Sequence, residues 1–146
     1  MGEYLNNRRK HIATRLLRTE AAIYLLLARL ALALFSFQRL TRFISRRSKR
    51  PELTGPDRER SGKQVQSAIF RVCRQGPFET TCLHRAIAAQ AMLRRRGVSA
   101  TIYYGAKTLP DCGLRAHVWV QDGAAGVAGC RVAKQDGYRV LASYPE

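Results

Sequence analysis

At Gly97 the hydrophobic period of this chain changes from helix-like to strand-like. Behind that point Val98, Ala100, Ile102 and Tyr104 alternate with Ser99, Thr101 and Tyr103. Leu114, Ala116, Val118 and Val120 likewise alternate with Arg115, His117, Trp119 and Gln121. Asp122-Gly123 and Asp136-Gly137 read as turns, VAGCRVA as a returning strand and YRVLASY as the last one. Helices followed by hairpin-linked strands predict an α+β domain whose helices pack on an antiparallel sheet. A chain of 146 residues has room for one such domain and not for two ordinary ones.

Ahead of Gly97 three helical segments are expected. Residues 1–12 are polar and basic and read as frayed. Thr14 to Ile44 lacks Gly and Pro and reads as one long helix, almost wholly apolar from Ala21 to Phe37 except for Arg29. A charge near the centre of a membrane span costs roughly 2.5–3.5 kcal/mol, and arginines flank the stretch on both sides, so no orientation emerges. The segment is therefore expected to be buried on several faces, with contact to a membrane surface left open. Ser45 to Gly62 reads as a linker, and Lys63 to Gln75 as a short helix with Val65, Ile69 and Val72 on one face. The expected organisation is a basic tail and apolar helix over 1–50, a linker over 51–62 and a core over 63–146.

The charge is lopsided: 26 Lys and Arg stand against 10 Asp and Glu, a net of +16, and residues 1–50 hold +10 of it. Such a segment suits nucleic acid, anionic lipid or an acidic partner. Four cysteines are too few for a disulfide-built fold. With no secretory signal pattern at the start, a cytoplasmic location with free thiols is expected.

The most informative stretch is ETTCLHRAIAAQAMLRRRG. Thr80 or Thr81 can cap a helix that Gly97 ends, with Arg94–Arg96 complementing its negative end. Cys82 then lies in the first turn, where unpaired amides favour a thiolate and can also bind an oxyanion. His117, mid-strand on the face shared with Trp119, is the candidate base, because an imidazole can take the thiol proton and return it to a leaving amine. From spacing alone the bland alternatives stand beside this one: a buried cysteine acting as a small hydrophobe and a structural histidine. Cys73 reads as core, Cys112 as loop, and Cys130 as a strand residue near the level of His117. Cys82, Cys112, His117 and Cys130 lack the paired spacings of a zinc site, so no metal or cofactor is expected. His84 is expected at the surface and His11 in the tail.

The run from Cys82 to Val98, the Y-Y-G that follows, R-A-H-V-W-V at 115–120 and Y-R-V-L-A-S-Y-P at 138–145 resemble the leader peptidases (B proteins) of lasso-peptide biosynthesis. The Arg-punctuated helix over residues 15–45 resembles the one preceding that family's core. The family is a transglutaminase-like, papain-related group of bacterial cysteine proteases. The resemblance implies a papain/transglutaminase-like fold, with Cys82 as nucleophile and His117 as general base. It implies cleavage of a ribosomally made precursor peptide at its leader–core junction. Its implied partners are that precursor, a separate leader-recognition domain protein, and an ATP-dependent macrolactam synthetase that closes the ring on the freed amine. Nucleic acid is not an expected partner of such a peptidase. The family's third residue, an Asp about a dozen residues past the histidine, is missing: that region reads Val127-Ala128-Gly129-Cys130-Arg131. Asp122 and Asp136 are poorly placed to replace it. A backbone carbonyl, a carboxylate from elsewhere, or low activity are the alternatives.

Two rivals use the same residues differently. A non-catalytic basic adaptor would bind RNA or anionic membrane through residues 1–50, and an acyl-transfer enzyme would pass the same acyl group to an amine instead of water.

Overall fold

The computed structural model describes residues 2–44, 46, 50–77, 79–123 and 125–145. Helix α1 runs Gly2–Leu34 and α2 Phe37–Ile44, so residues 2–12 are helical rather than frayed and the expected single helix is broken at Phe35–Ser36. Packing explains the break. Only after a turn can α2 bury Thr41 and Ile44 and place Phe37 against Tyr144 and Tyr104, at 5.6 and 6.3 Å between ring centroids. Ala21, Leu25 and Ala28 form the buried stripe of α1. Ile12, Leu16, Ile23, Leu27, Leu30 and Leu34 lie on the opposite side, all more than half exposed. The expectation of burial on several faces is thus corrected, because the domain offers α1 one surface only. Among the described residues no helix is long and apolar enough to cross a membrane.

Helix α3 spans Gly55–Gln75, eight residues earlier than the sequence pattern suggests. Pro56 opens it with a preset φ and no N–H to lose, and Asp57 lies in its positive first turn. The glycine and proline read as linker punctuation in fact start a helix. Helix α4, Cys82–Arg95, is the central one, with Ala86 through Gln90, Met92 and Leu93 buried. Three arginines at its end hold the N-terminal helices. Arg94 donates to the carbonyls of Phe43 and Ile44 at the end of α2, while Arg95 and Arg96 pair with Glu20 of α1.

The strands are β1 (Thr101–Thr108), β2 (Leu114–Asp122), β3 (Ala125–Ala128) and β4 (Arg139–Tyr144), with helix α5 (Cys130–Gln135) between the last two. They form one antiparallel sheet in the order β3-β2-β1-β4. Val118 and Val120 join the core beneath α4, whereas Trp119 packs with Cys130 and Ala133 of α5 on the other face. The expected strand VAGCRVA is therefore half wrong: it stops at Ala128, and Gly129 at φ 72° turns the chain into α5. The three-residue spacing of Cys130 and Ala133 lets a helix bury both against Trp119.

Candidate active site

Cys82 is the first residue of α4, half-buried and packed against the core on the α4 side of the sheet. Thr81 caps the helix reciprocally with His84. The Thr81 hydroxyl accepts from the His84 amide, and His84 Nδ1 accepts from the Thr81 amide at 3.1 Å. His84, expected as a surface residue, is thus part of the cap. Burial and the nearby Arg29 charge hold it below the usual imidazole value of 6.5, so it keeps the neutral form that can accept. Arg29 itself reaches the carbonyl of Glu79 at 3.5 Å, which places the charge inside the apolar α1 stretch beside the segment leading to Cys82.

His117 pairs across the sheet with Gly105 and belongs by alternation to the Trp119 face. Its ring stacks on Trp119 (6.1 Å between centroids, 17° between planes) and tilts against Tyr138 at 5.3 Å. Trp119 stacks in turn on Tyr103 at 5.8 Å. A Cβ at Gly105 would come within 2.8 Å of the indole, so the missing side chain there makes room for the stack.

His117 Nε2 lies 2.9 Å from the Gly129 carbonyl. A carbonyl can only accept, so Nε2 carries the proton and Nδ1 is the basic nitrogen of the neutral ring. The close approach depends on glycine. A Cβ at position 129 would stand 2.9 Å from Val118 O and 3.0 Å from Nε2, on a backbone at φ 72°. Of the alternatives to the missing Asp, the structure puts a backbone carbonyl within bonding distance of the imidazole. The two carboxylates considered from sequence are engaged elsewhere: both oxygens of Asp122 accept from Arg58, and Asp136 pairs with Lys107 at 3.0 Å.

Cys130, next to that carbonyl, is buried at the start of α5 rather than on a strand. Its thiol donates to Val120 O at 3.0 Å, and burial pushes its pKa up. Cys73 is half-buried and Cys112 exposed. Among the described residues no group of three His, Cys, Asp or Glu could hold a metal ion.

Gln90 donates to Ala100 O and Tyr144 O and so fixes the middle of α4 over the head of β1. Cys82 packs on the α4 side of the sheet, whereas the His117 imidazole lies on the α5 side with Trp119 and Gly129. Among the described residues no hydrogen bond joins them. The outer edge of β2 is open beside His117, since β3 pairs only with Val120–Asp122.

Gly129, Gly105 and Tyr138 were not singled out from sequence. A glycine twelve residues past the histidine, where a carboxylate was sought, was the available signal for the first. A core domain of the transglutaminase-like superfamily matches residues 24–143, which takes in α1 from Tyr24 onward, Cys82, His117 and Gly129. No curated protein and no solved structure matches the chain significantly.

Proposed function

Because the chain belongs to the transglutaminase-like superfamily, we propose that it is a cysteine hydrolase with Cys82 as nucleophile and His117 as general base. Its substrate is a lasso-type precursor peptide, presented by a separate leader-recognition protein and passed on to an ATP-dependent macrolactam synthetase. The observation that carries the reading is the bond from His117 to Gly129, which sets the ring's tautomer as an orienting carboxylate would, without its charge. It leaves Nδ1 as the proton acceptor.

In the proposed reaction Nδ1 takes the thiol proton and the sulfur attacks the scissile carbonyl. The first-turn amides of α4 receive the oxyanion, and the imidazolium protonates the departing amine. Water, deprotonated by the same imidazole, then releases the leader carboxylate and the free thiol. In the free chain the two side chains lie on opposite faces of the sheet, so the proposed reaction requires substrate binding to bring the imidazole to the sulfur around the edge of β2 that β3 leaves unpaired. The test combines precursor, recognition protein and this chain, with products weighed by mass spectrometry. Cleavage should vanish in Cys82→Ala and fall ~10²–10⁴-fold in His117→Ala. Undiminished cleavage by Cys82→Ala overturns the assignment, and an amine adduct in place of the acid would make the chain an acyl transferase.

A second reading concerns α1 alone. Its outward stripe of Ile12, Leu16, Ile23, Leu27, Leu30 and Leu34 is flanked by Arg8, Arg9 and Arg15, a pattern suited to lying in an anionic bilayer surface. Flotation with phosphatidylglycerol vesicles, lost in Leu27→Glu, supports it; failure to float at low salt removes it.

A further inference from the structure

Between α1 and α3 lies a groove of about 780 Å³, away from Cys82 and His117. Lys10 and Arg18 line it from one helix, and Arg60, Lys63 and Arg71 from the other. The carboxylate among its lining residues, Glu59, is bound to Lys63 at 2.6 Å. Lys10, Arg18, Arg60 and Arg71 therefore have no carboxylate partner among the described residues. Arg18 Nε is moreover buried with no hydrogen-bond acceptor. The buried unsatisfied donor of Arg18 is costly, and an anion entering the groove would satisfy it while pairing with the exposed Lys10, Arg60 and Arg71. Between the charges the lining mixes the apolar Ala13, Leu17 and Ala68 with the polar Thr14, Gln64 and Ser67.

We infer that this groove binds an acidic, partly apolar peptide segment. Resting on the peptide-substrate reading above, it is a docking site for part of the substrate distant from the bond that is cut. Carboxylate side chains suit guanidinium groups in paired, charge-assisted geometry, and the apolar lining takes the alternate side chains. Nucleic acid fits less well: among the described residues no aromatic side chain lines the groove for bases to stack on.

The test uses the full chain carrying Cys82→Ala and a fluorescein-labelled peptide of repeated Glu-Ala-Leu, read by anisotropy at physiological salt. Binding should weaken at least ~10-fold in the Arg18→Gln, Arg71→Gln pair. A control pair with the same charge change on another surface, Arg131→Gln with Arg139→Gln, should lose less than ~2-fold. The matched Gln-Ala-Leu peptide should not bind. Equal losses in the two pairs, equal binding of the glutamine peptide, or a single-stranded RNA oligomer that binds more tightly and depends on the same two arginines would each overturn the inference. Should the first pair melt early, Arg60→Gln at an exposed helix position repeats the comparison. The two readings also fail separately. Peptide binding in a chain that cleaves nothing leaves the groove standing without the hydrolase, and cleavage without groove-dependent binding does the reverse.

Discussion

The imidazole of His117 and the main-chain oxygen of Gly129 meet at 2.9 Å across the outer edge of the sheet. That one contact fixes which ring nitrogen is basic. It involves no acidic side chain.

Gly129→Ala should disable the imidazole without unfolding the domain. The added methyl would press on Nε2 and Val118 O, and the left-handed backbone costs a residue with a Cβ about 1–2 kcal/mol. The turnover number should drop at least ~10-fold while KM stays within about twofold, since the base works in the chemical step. Steady-state cleavage kinetics alongside a thermal melt check both parts. A variant with unchanged turnover would remove the carbonyl from the mechanism.

Cys130→Asp, which restores a carboxylate in the region where the resembled family has one, should harm the protein rather than improve it. The buried Cys130 thiol donates to Val120 O and also lies 3.6 Å from Ala128 O. A carboxylate there would face two acceptors with nothing to neutralise it, a loss on the order of 3–5 kcal/mol. Urea unfolding should show it clearly, with Cys130→Ser much milder.

Acid should loosen the start of α4 through His84. Its folded-state pKa lies below 6.5, so folding favours the neutral ring. The stabilisation is complete above that value and fades as pH falls through the depressed one. A protonated Nδ1 can no longer accept from Thr81. Losing ~1 kcal/mol of cap lowers the melting temperature by roughly 2–4 °C once pH has fallen through that depressed value. His84→Gln, which accepts without titrating, should shrink that difference.

Glu20 acts in a lower window. The hydrogen bond from Arg96 outweighs burial, and the Arg96 and Arg95 charges add to it, so the carboxyl is held below its ordinary 4.5. Its contribution is present above 4.5 and is lost as pH falls through the depressed value. Glu20→Gln should cost ~1 kcal/mol near neutrality and much less in acid. Urea midpoints at the two pH values check this.

Residues whose local chemistry and tertiary role agree were legible in the sequence. Thr81, Cys82 and Gly97 bracket α4 as their types predict, and the alternation in β1 and β2 set their faces correctly. Where packing overrode propensity the reading failed. Ser36 breaks a stretch with no Gly or Pro because Phe37 must reach Tyr144, and Arg131–Gln135 coil because Cys130 and Ala133 both cover Trp119. Pro56 misled in the opposite sense, since proline stops one helix and starts another with equal ease. The Gly129 acceptor had as its one signature a glycine where the turn needs a positive φ, because every residue carries the same carbonyl and only the turn decides where it points. The bare outer side of α1 was hidden for a related reason: apolar sequence says what could be covered, not whether anything covers it.

Arg94, Arg95 and Arg96 hold both N-terminal helices to the tail end of the helix that begins with Cys82. Residues 2–44 are therefore masonry rather than an appendage. Trimming them to ease expression would take Glu20 and the carbonyls of Phe43 and Ile44 away from three adjacent guanidinium groups and lay open one flank of α4. What is left would be a sulfur on a helix braced from fewer sides.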